Sequence, residues 1–148
     1  MKKNIFISII LFFVIMIGCK TFPDIGKGYK LDYNSVGDIG IVNSENSYLV
    51  YGHILEYAFD STFIIVAERP RDSIQECTGT IPGMTAKKCN ETFNKSTFRQ
   101  YWIIDKRQKS IFDENTKIYS NVYGPYKKEG FIEKIKELAV SEELKLKE

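Results

Sequence analysis

Residues 48–67 read YLVYGHILEYAFDSTFIIVA. Over Tyr48–Phe59, apolar and aromatic side chains recur at every second position, which is the period of a β-strand. Asp60 and Ser61 favour a turn, and Thr62–Ala67 is a nearly continuous apolar run of the kind found in central strands. The stretch therefore predicts a β-hairpin. Its core-facing side is predicted to carry the odd positions of the first strand: Leu49, Tyr51, His53, Leu55, Tyr57 and Phe59.

Weaker strand patterns flank this hairpin. Alternation predicts strands at Tyr29–Tyr33 and Val36–Val42 before it, and at Phe98–Asp105 and Ile118–Tyr123 after it. Gly124 and Pro125 end the last strand, because proline fits the start of a helix, where its missing N–H needs no acceptor. Apolar residues at helical spacing then predict an amphipathic helix over Tyr126–Ala139. The order of elements predicts an α+β fold: a mostly antiparallel β meander with one C-terminal amphipathic helix.

Residues 68–97 interrupt the strand pattern. Pro70, Gly79, Pro82 and Gly83 disfavour regular structure there, so the segment is predicted to be a loop insertion within the domain. Loops of this length inside a compact domain usually carry function, and we expect this one to be an interaction surface. The alternative is a surface insertion without a partner, since long insertions cost little free energy.

The same segment holds two cysteines, Cys77 and Cys89. In an oxidising compartment such a pair usually forms a disulfide, and closing this loop would restrict the unfolded chain by ~3 kcal/mol. A metal site is the alternative, but it needs two further ligands, and His53 is the only histidine of the chain. The disulfide is the favoured interpretation, and we predict no metal and no cofactor.

The first residues have the order of parts of an export signal. Lys2 and Lys3 form a positive start, Ile5–Ile17 is an apolar run broken only by Ser8, and Gly18 and Cys19 follow at once. The apolar run is shorter than the ~18–20 residues that a spanning helix needs. The alternatives are an ordinary cleaved signal or an uncleaved anchor with a cysteine there by chance.

Met16-Ile17-Gly18-Cys19 resembles the lipobox of bacterial lipoproteins, although that pattern usually has leucine where Met16 stands. The resemblance implies that Cys19 receives a diacylglycerol, that the chain is cut just before it, and that the new amine is acylated, with palmitate as a typical chain. It implies a signal peptide at 1–18. Pro23, Gly26, Gly28 and the lack of periodicity around them predict a tether at 19–28, lipidated through Cys19. One globular domain is predicted at 29–148, with the loop insertion 68–97.

A second resemblance covers about the last fifty residues. Tyr101-Trp102-Ile103-Ile104-Asp105, then Val122-Tyr123-Gly124-Pro125, then a helix carrying Phe131 are similar to a group of small uncharacterised bacterial lipoproteins. This resemblance supports the predicted architecture and implies no functional residue.

Charge and anchoring limit the partners. Two of the 21 basic residues precede Cys19, which leaves 19 basic and 19 acidic residues in the lipidated chain. A neutral domain has no electrostatic reason to bind nucleic acid, so we expect a membrane partner through the lipid and an envelope protein as a candidate partner. The domain should lie outside the cytoplasm, and Lys20 favours the outer membrane in a cell with two.

No motif identifies a catalytic centre, and we predict no catalytic residue. His53 is expected to be a packed structural residue, and the carboxylates near strand ends are expected to be solvated. Those carboxylates are Glu56, Asp60, Glu68, Asp72 and Asp105. A nucleophile elbow, a zinc-protease motif, a phosphate-binding glycine loop and a Cys-x-x-Cys pair are all missing from the sequence.

Tyrosines near the last strand are the candidate binding surface, because exposed aromatics bind sugars and proteins through flat apolar faces with polar tips. They are Tyr119, Tyr123 and Tyr126. The sequence thus favours a non-enzymatic, membrane-anchored envelope lipoprotein that acts as a binding or interaction module. The alternatives are an envelope hydrolase that uses carboxylates and His53, and an immunity-type protein that neutralises a toxin.

Overall fold

The computed structural model of the chain describes residues 23–33, 38–70 and 83–147. The described part is an α+β domain built on antiparallel strands, with one helix at the C-terminal end. The elements in chain order are β1 (Lys30–Tyr33), β2 (Ile39–Val42), β3 (Tyr48–Phe59), β4 (Phe63–Arg69), α1 (Ala86–Lys95), β5 (Gln100–Asp105), β6 (Phe112–Asp113), β7 (Ile118–Tyr119), β8 (Val122–Tyr126) and α2 (Lys128–Glu137).

Six strands form one sheet in the order β1-β2-β3-β4-β5-β8, and all neighbours are antiparallel. This is the order of the predicted meander, with α1 between β4 and β5 and the small β6–β7 hairpin between β5 and β8. The predicted β3–β4 hairpin is confirmed. Asp60 closes its turn by accepting hydrogen bonds from the backbone N–H groups of Thr62 at 2.6 Å and Phe63 at 2.7 Å.

Strand β4 is the centre of the domain, because both faces of the sheet are covered along it. Its residues Phe63–Glu68 are all buried. Ile64 and Val66 face a first core with strands β1–β3 and residues 25–31, while Phe63 and Ile65 face a second core with α2. Burial on both faces explains why this strand has a continuous apolar run rather than an alternating one.

The predicted core face of β3 is wrong for most of the strand. Tyr51, Tyr57 and Phe59 are exposed, whereas Val50 and Ile54 at even positions are buried. Three bulges are the cause: Leu49 and Gly52 are extra residues in the pairing of β3 with β2, and Leu55 is an extra residue in its pairing with β4. A bulge reverses the alternation beyond it, and a count of every second position cannot detect that reversal.

The segment between β4 and β5 contains a second helix, so the prediction of one helix and of an irregular loop over 68–97 is wrong in part. Glu68 and Arg69 belong to β4, and α1 spans Ala86–Lys95. The side chain of Thr85 caps α1 by accepting a hydrogen bond from the backbone N–H of Lys88. Cys89 and Phe93, four residues apart, form its buried side. Residues 71–82 lie outside the described residues.

Residues 23–29 pack against the sheet, although 19–28 was predicted to be a tether. Ile25 and Tyr29 are buried in the first core. The ammonium group of Lys106 donates hydrogen bonds to the backbone oxygens of Ile25, at 2.9 Å, and Asp60. Burial lowers the pKa of Lys106. This lysine therefore joins the first described residues to the β3–β4 turn, and the packed domain begins before residue 29.

Replacing Lys106 with methionine tests that connection. Methionine keeps most of the apolar stem but cannot donate to either carbonyl oxygen, so Lys106→Met should lower the free energy of unfolding by about 1–3 kcal/mol. Urea unfolding followed by circular dichroism measures the change. Lys109→Met removes an exposed ammonium group as a control and should change stability by less than about 0.5 kcal/mol. Equal urea midpoints for the two variants would contradict the bridging role of Lys106.

Candidate functional site

A cavity of about 750 Å³ lies between the sheet and the C-terminal part of the chain. Its floor includes Ile65 of β4 and Tyr101 of β5, and its roof is made by α2 and the residues that follow it. Apolar side chains form most of the wall. They are Ile65, Tyr101, Phe131, Ile132, Ile135, Ala139, Val140, Leu144 and Leu146. Volumes of about 300–1,000 Å³ are usual for sites that bind small molecules.

The end of α2 shapes this cavity. Ala139 has a left-handed backbone with φ 53°, and the N–H of Val140 donates back to the oxygen of Ile135 at 3.0 Å. This is the pattern of a Schellman helix end, which turns the chain out of the helix axis. The turn brings residues 140–147 back over the second core, where Leu144 and Leu146 pack. The last residues of the chain are therefore part of the cavity wall.

Charged groups also line the cavity. Arg99 of the segment before β5 donates to Oε1 of Glu56 in β3 at 3.4 Å. The second carboxylate oxygen of Glu56 is buried, and no hydrogen bond reaches it from the described residues. Lys128, Lys136, Lys145 and Glu142 complete the polar lining. The site thus combines an apolar wall with more positive than negative groups.

The three candidate tyrosines do not form one exposed surface. Tyr119 packs on the first core and against the ring of Phe112, with ring centroids 5.2 Å apart. Tyr123 and Tyr126 pack on the second core, and all three are half-buried. A tyrosine binding surface at these positions stays a prediction. They are packing residues, as alternating aromatics in sheets usually are.

Exposed tyrosines lie instead near the β1 edge of the sheet. Tyr33, Tyr48 and Tyr51 are all largely exposed, and the rings of Tyr48 and Tyr51 meet edge to face at 4.9 Å. Tyr48 donates its hydroxyl hydrogen to Asp32, and this hydrogen bond raises the pKa of Tyr48 to about 12. The bond holds the ring across Gly40, whose missing side chain leaves room for it.

His53 lies away from the cavity. Its Nδ1 is 3.4 Å from Oδ1 of Asp38, and its ring meets the ring of Phe93 edge to face at 5.6 Å. Asp38 is buried, whereas the side chain of His53 is 36% exposed. The structure thus brings together one histidine and one carboxylate, and it places neither in the wall of the cavity.

Two of the carboxylates predicted to be solvated are buried. Glu68 accepts a hydrogen bond from the indole N–H of Trp102 at 2.7 Å. Asp105 is 1% exposed and binds the guanidinium of Arg107. Burial raises the pKa of Asp105, but hydrogen bonds from Arg107 and Gln108 outweigh it, so the pKa is lower than that of an ordinary aspartate. Glu68 thus links β4 to β5, Asp105 holds the turn that follows β5, and Asp72 lies outside the described residues.

Cys89 is buried in α1. Residue 77 lies outside the described residues, so the bond between Cys77 and Cys89 stays a prediction. The same holds for lipidation of Cys19.

Among residues 23–33, 38–70 and 83–147, no group of three His, Cys, Asp or Glu side chains is arranged to hold a metal ion. No helix in these ranges is both long enough and apolar enough to cross a membrane.

The fold and the cavity define a small α+β domain with a candidate ligand site under its C-terminal helix. Residues 26–148 match the model of the family described as "Protein of unknown function (DUF3997)", and the chain belongs to that family. No curated protein and no solved structure matches the chain.

Proposed function

We propose that the protein is a lipid-anchored, non-enzymatic binding module of the cell envelope and that its ligand occupies the cavity under α2. The observation that supports a ligand is the cavity itself, which has an apolar wall and a volume of about 750 Å³. A space of this size lined by apolar side chains is unfavourable to fill with water, and burying a ligand there is favourable.

The envelope location rests on the export signal and on the lipobox-like residues before Cys19. A lipid on Cys19 would hold the domain at a membrane surface outside the cytoplasm, the outer one where there are two. The packed domain begins within a few residues of that anchor, because Ile25 is already buried. The domain would then stand close to the membrane, where apolar molecules are concentrated.

The alternative is a hydrolase that uses His53 and carboxylates. The 3.4 Å contact between His53 and Asp38 is the observation that favours it. A hydrolytic site of this kind needs a concave pocket that holds the histidine with its carboxylates. Because His53 does not line the cavity and has Phe93 against its ring, the binding function is better supported.

Replacing Ile132 with serine tests the ligand site. Ile132 lines the cavity and is 42% exposed, so Ile132→Ser removes apolar wall without opening a core. The variant should therefore carry a co-purified apolar molecule roughly three- to tenfold less often than the unchanged chain. Native mass spectrometry of the full chain, released from its membranes, measures this occupancy.

Ile111→Ser is the matched control, since Ile111 is also exposed and lies outside the cavity. It should leave the occupancy unchanged. Full chain that carries no small molecule, and that takes up none from a lipid extract, would refute the binding proposal.

A further inference from the structure

The charged residues of the cavity are unevenly paired. Its wall holds Arg99, Lys128, Lys136 and Lys145 against Glu56 and Glu142. Arg99 is engaged by Glu56 on the sheet side. In the described part of the chain, neither Lys136 nor Lys145 forms an ion pair, whereas the neighbouring Lys134 binds Glu137 at 2.6 Å. Two ammonium groups of the helix and tail are thus available to a ligand.

A ligand that matches this wall needs two parts. The apolar side chains from Ile65 to Leu146 would cover a hydrocarbon chain. A negative headgroup beside Lys136 and Lys145 would gain charge-assisted hydrogen bonds, whereas a positive headgroup would be repelled. A neutral headgroup would not be attracted by the two ammonium groups. The distribution of charge therefore selects an anionic amphipath.

The size of the cavity limits the ligand further. A volume of about 750 Å³ is within the range for one small molecule. It favours one hydrocarbon chain over the two chains of a membrane phospholipid. The compact apolar wall fits one such chain, and the two lysines fit a single carboxylate at its end.

We infer that the cavity binds a free long-chain fatty acid, with its chain against the apolar wall and its carboxylate between Lys136 and Lys145. This inference rests on the proposed binding function and specifies the class of ligand. Fatty acids occur wherever membrane lipids are made or broken down, and a lipid-anchored domain would meet them at the membrane surface.

Photolabelling can test the inference with the full chain in its own membranes. The probe is a long-chain fatty acid with a photoreactive group on the chain and an alkyne tag, and the readout is mass spectrometry of labelled peptides. The fatty acid should label residues 128–147, and the uncharged alcohol with the same chain should label them several-fold less. The double variant Lys136→Glu/Lys145→Glu should reduce labelling by the acid roughly fivefold or more.

The control is the double variant Lys109→Glu/Lys117→Glu, which makes the same change of charge at two exposed lysines outside this cavity. It should label like the unchanged chain. Labelling by the alcohol reports whether a variant still forms the cavity. If the glutamate pair loses that as well, the neutral pair Lys136→Gln/Lys145→Gln replaces it and should still weaken labelling by the acid.

Each outcome decides a different claim. Equal labelling by acid and alcohol, unchanged in the lysine variants, would overturn the fatty acid and leave the binding proposal standing. Labelling by a photoreactive lysophosphatidate without labelling by the fatty acid would replace the carboxylate with a phosphate headgroup and overturn the inference as stated. If none of the probes labels residues 128–147, the ligand site itself is refuted.

Discussion

Gly124→Ala should destabilise the domain by about 2–5 kcal/mol, a large part of the about 5–15 kcal/mol that a folded domain usually has. Gly124 lies in β8 with φ +138°, a backbone conformation that residues with a side chain rarely adopt. A Cβ atom there would come within 2.7 Å of the Trp102 ring and 2.8 Å of the backbone oxygen of Tyr101. The oxygen cannot move aside without breaking the β5–β8 pairing.

The substitution would also affect a hydrogen bond between two side chains near this position. Trp102 donates to Glu68, and a shift of its ring would weaken that hydrogen bond to a buried carboxylate. Urea unfolding of the full chain, followed by circular dichroism, gives the free energy. We expect a much lower midpoint for Gly124→Ala than for the unchanged chain.

Two other glycines serve as controls. Gly83 also has a positive φ, +77°, but nothing lies within 4 Å of an added Cβ, so Gly83→Ala reports backbone strain without a clash. Gly130 lies inside α2 with room for a methyl group, so Gly130→Ala should stabilise the helix by up to about 1 kcal/mol. If Gly124→Ala unfolds at the same urea concentration as Gly83→Ala, the close packing of β8 on Trp102 is not what requires glycine.

The parts of the fold that depend on local pattern could be predicted from the sequence. The bounds of β3 follow from its long alternation, and the central place of β4 follows from its continuous apolar run. The two faces of β5 also follow from simple alternation, since Trp102 and Ile104 pack on the first core while Tyr101 and Ile103 pack on the second. The spacing of apolar residues along one strand is a local property, so a single sequence is enough to detect it.

The parts that depend on distant contacts could not be predicted. Leu55 can be recognised as an extra residue only from the pairing of β3 with β4. Helix α1 is ten residues long and has few apolar residues, so its signal was weak beside the prolines and glycines before it. Thr85 before the helix and the spacing of Cys89 and Phe93 were the signals that could have found it.

The candidate site was missed for a related reason. The helical spacing predicts an apolar face, which packs through Phe131 and Ile135, but it does not show that Leu144 and Leu146 return over the sheet. That return depends on Ala139, an alanine in a left-handed conformation where glycine is the usual residue. Because no glycine marks the helix end, the sequence does not indicate where the residues after α2 go. It therefore does not predict the cavity that those residues close.

Cys19→Ser should abolish lipid attachment completely, which is the largest effect that the sequence predicts. The thiol is the acceptor of the lipid that the lipobox resemblance implies, and a serine hydroxyl is a far weaker nucleophile than a thiolate. Cells fed a tagged fatty acid should label the unchanged chain and leave Cys19→Ser unlabelled. The variant should also keep its uncut signal peptide or leave the membrane fraction, because the proposed anchor is the lipid on that cysteine.

Cys89→Ser is the matched control, because it makes the same atomic change at a cysteine that is buried in the domain. It should keep the acyl label while losing the predicted disulfide with Cys77, so the two variants separate anchoring from folding. The linkage of the label can be checked with neutral hydroxylamine, which cleaves a simple thioester. An amide on the amine of Cys19, or an oxygen ester on a glycerol joined to its sulfur by a thioether, should survive this treatment. Uptake of the tagged fatty acid that is unchanged in Cys19→Ser would place the lipid elsewhere, and no uptake by the unchanged chain would remove the anchor from the proposed function.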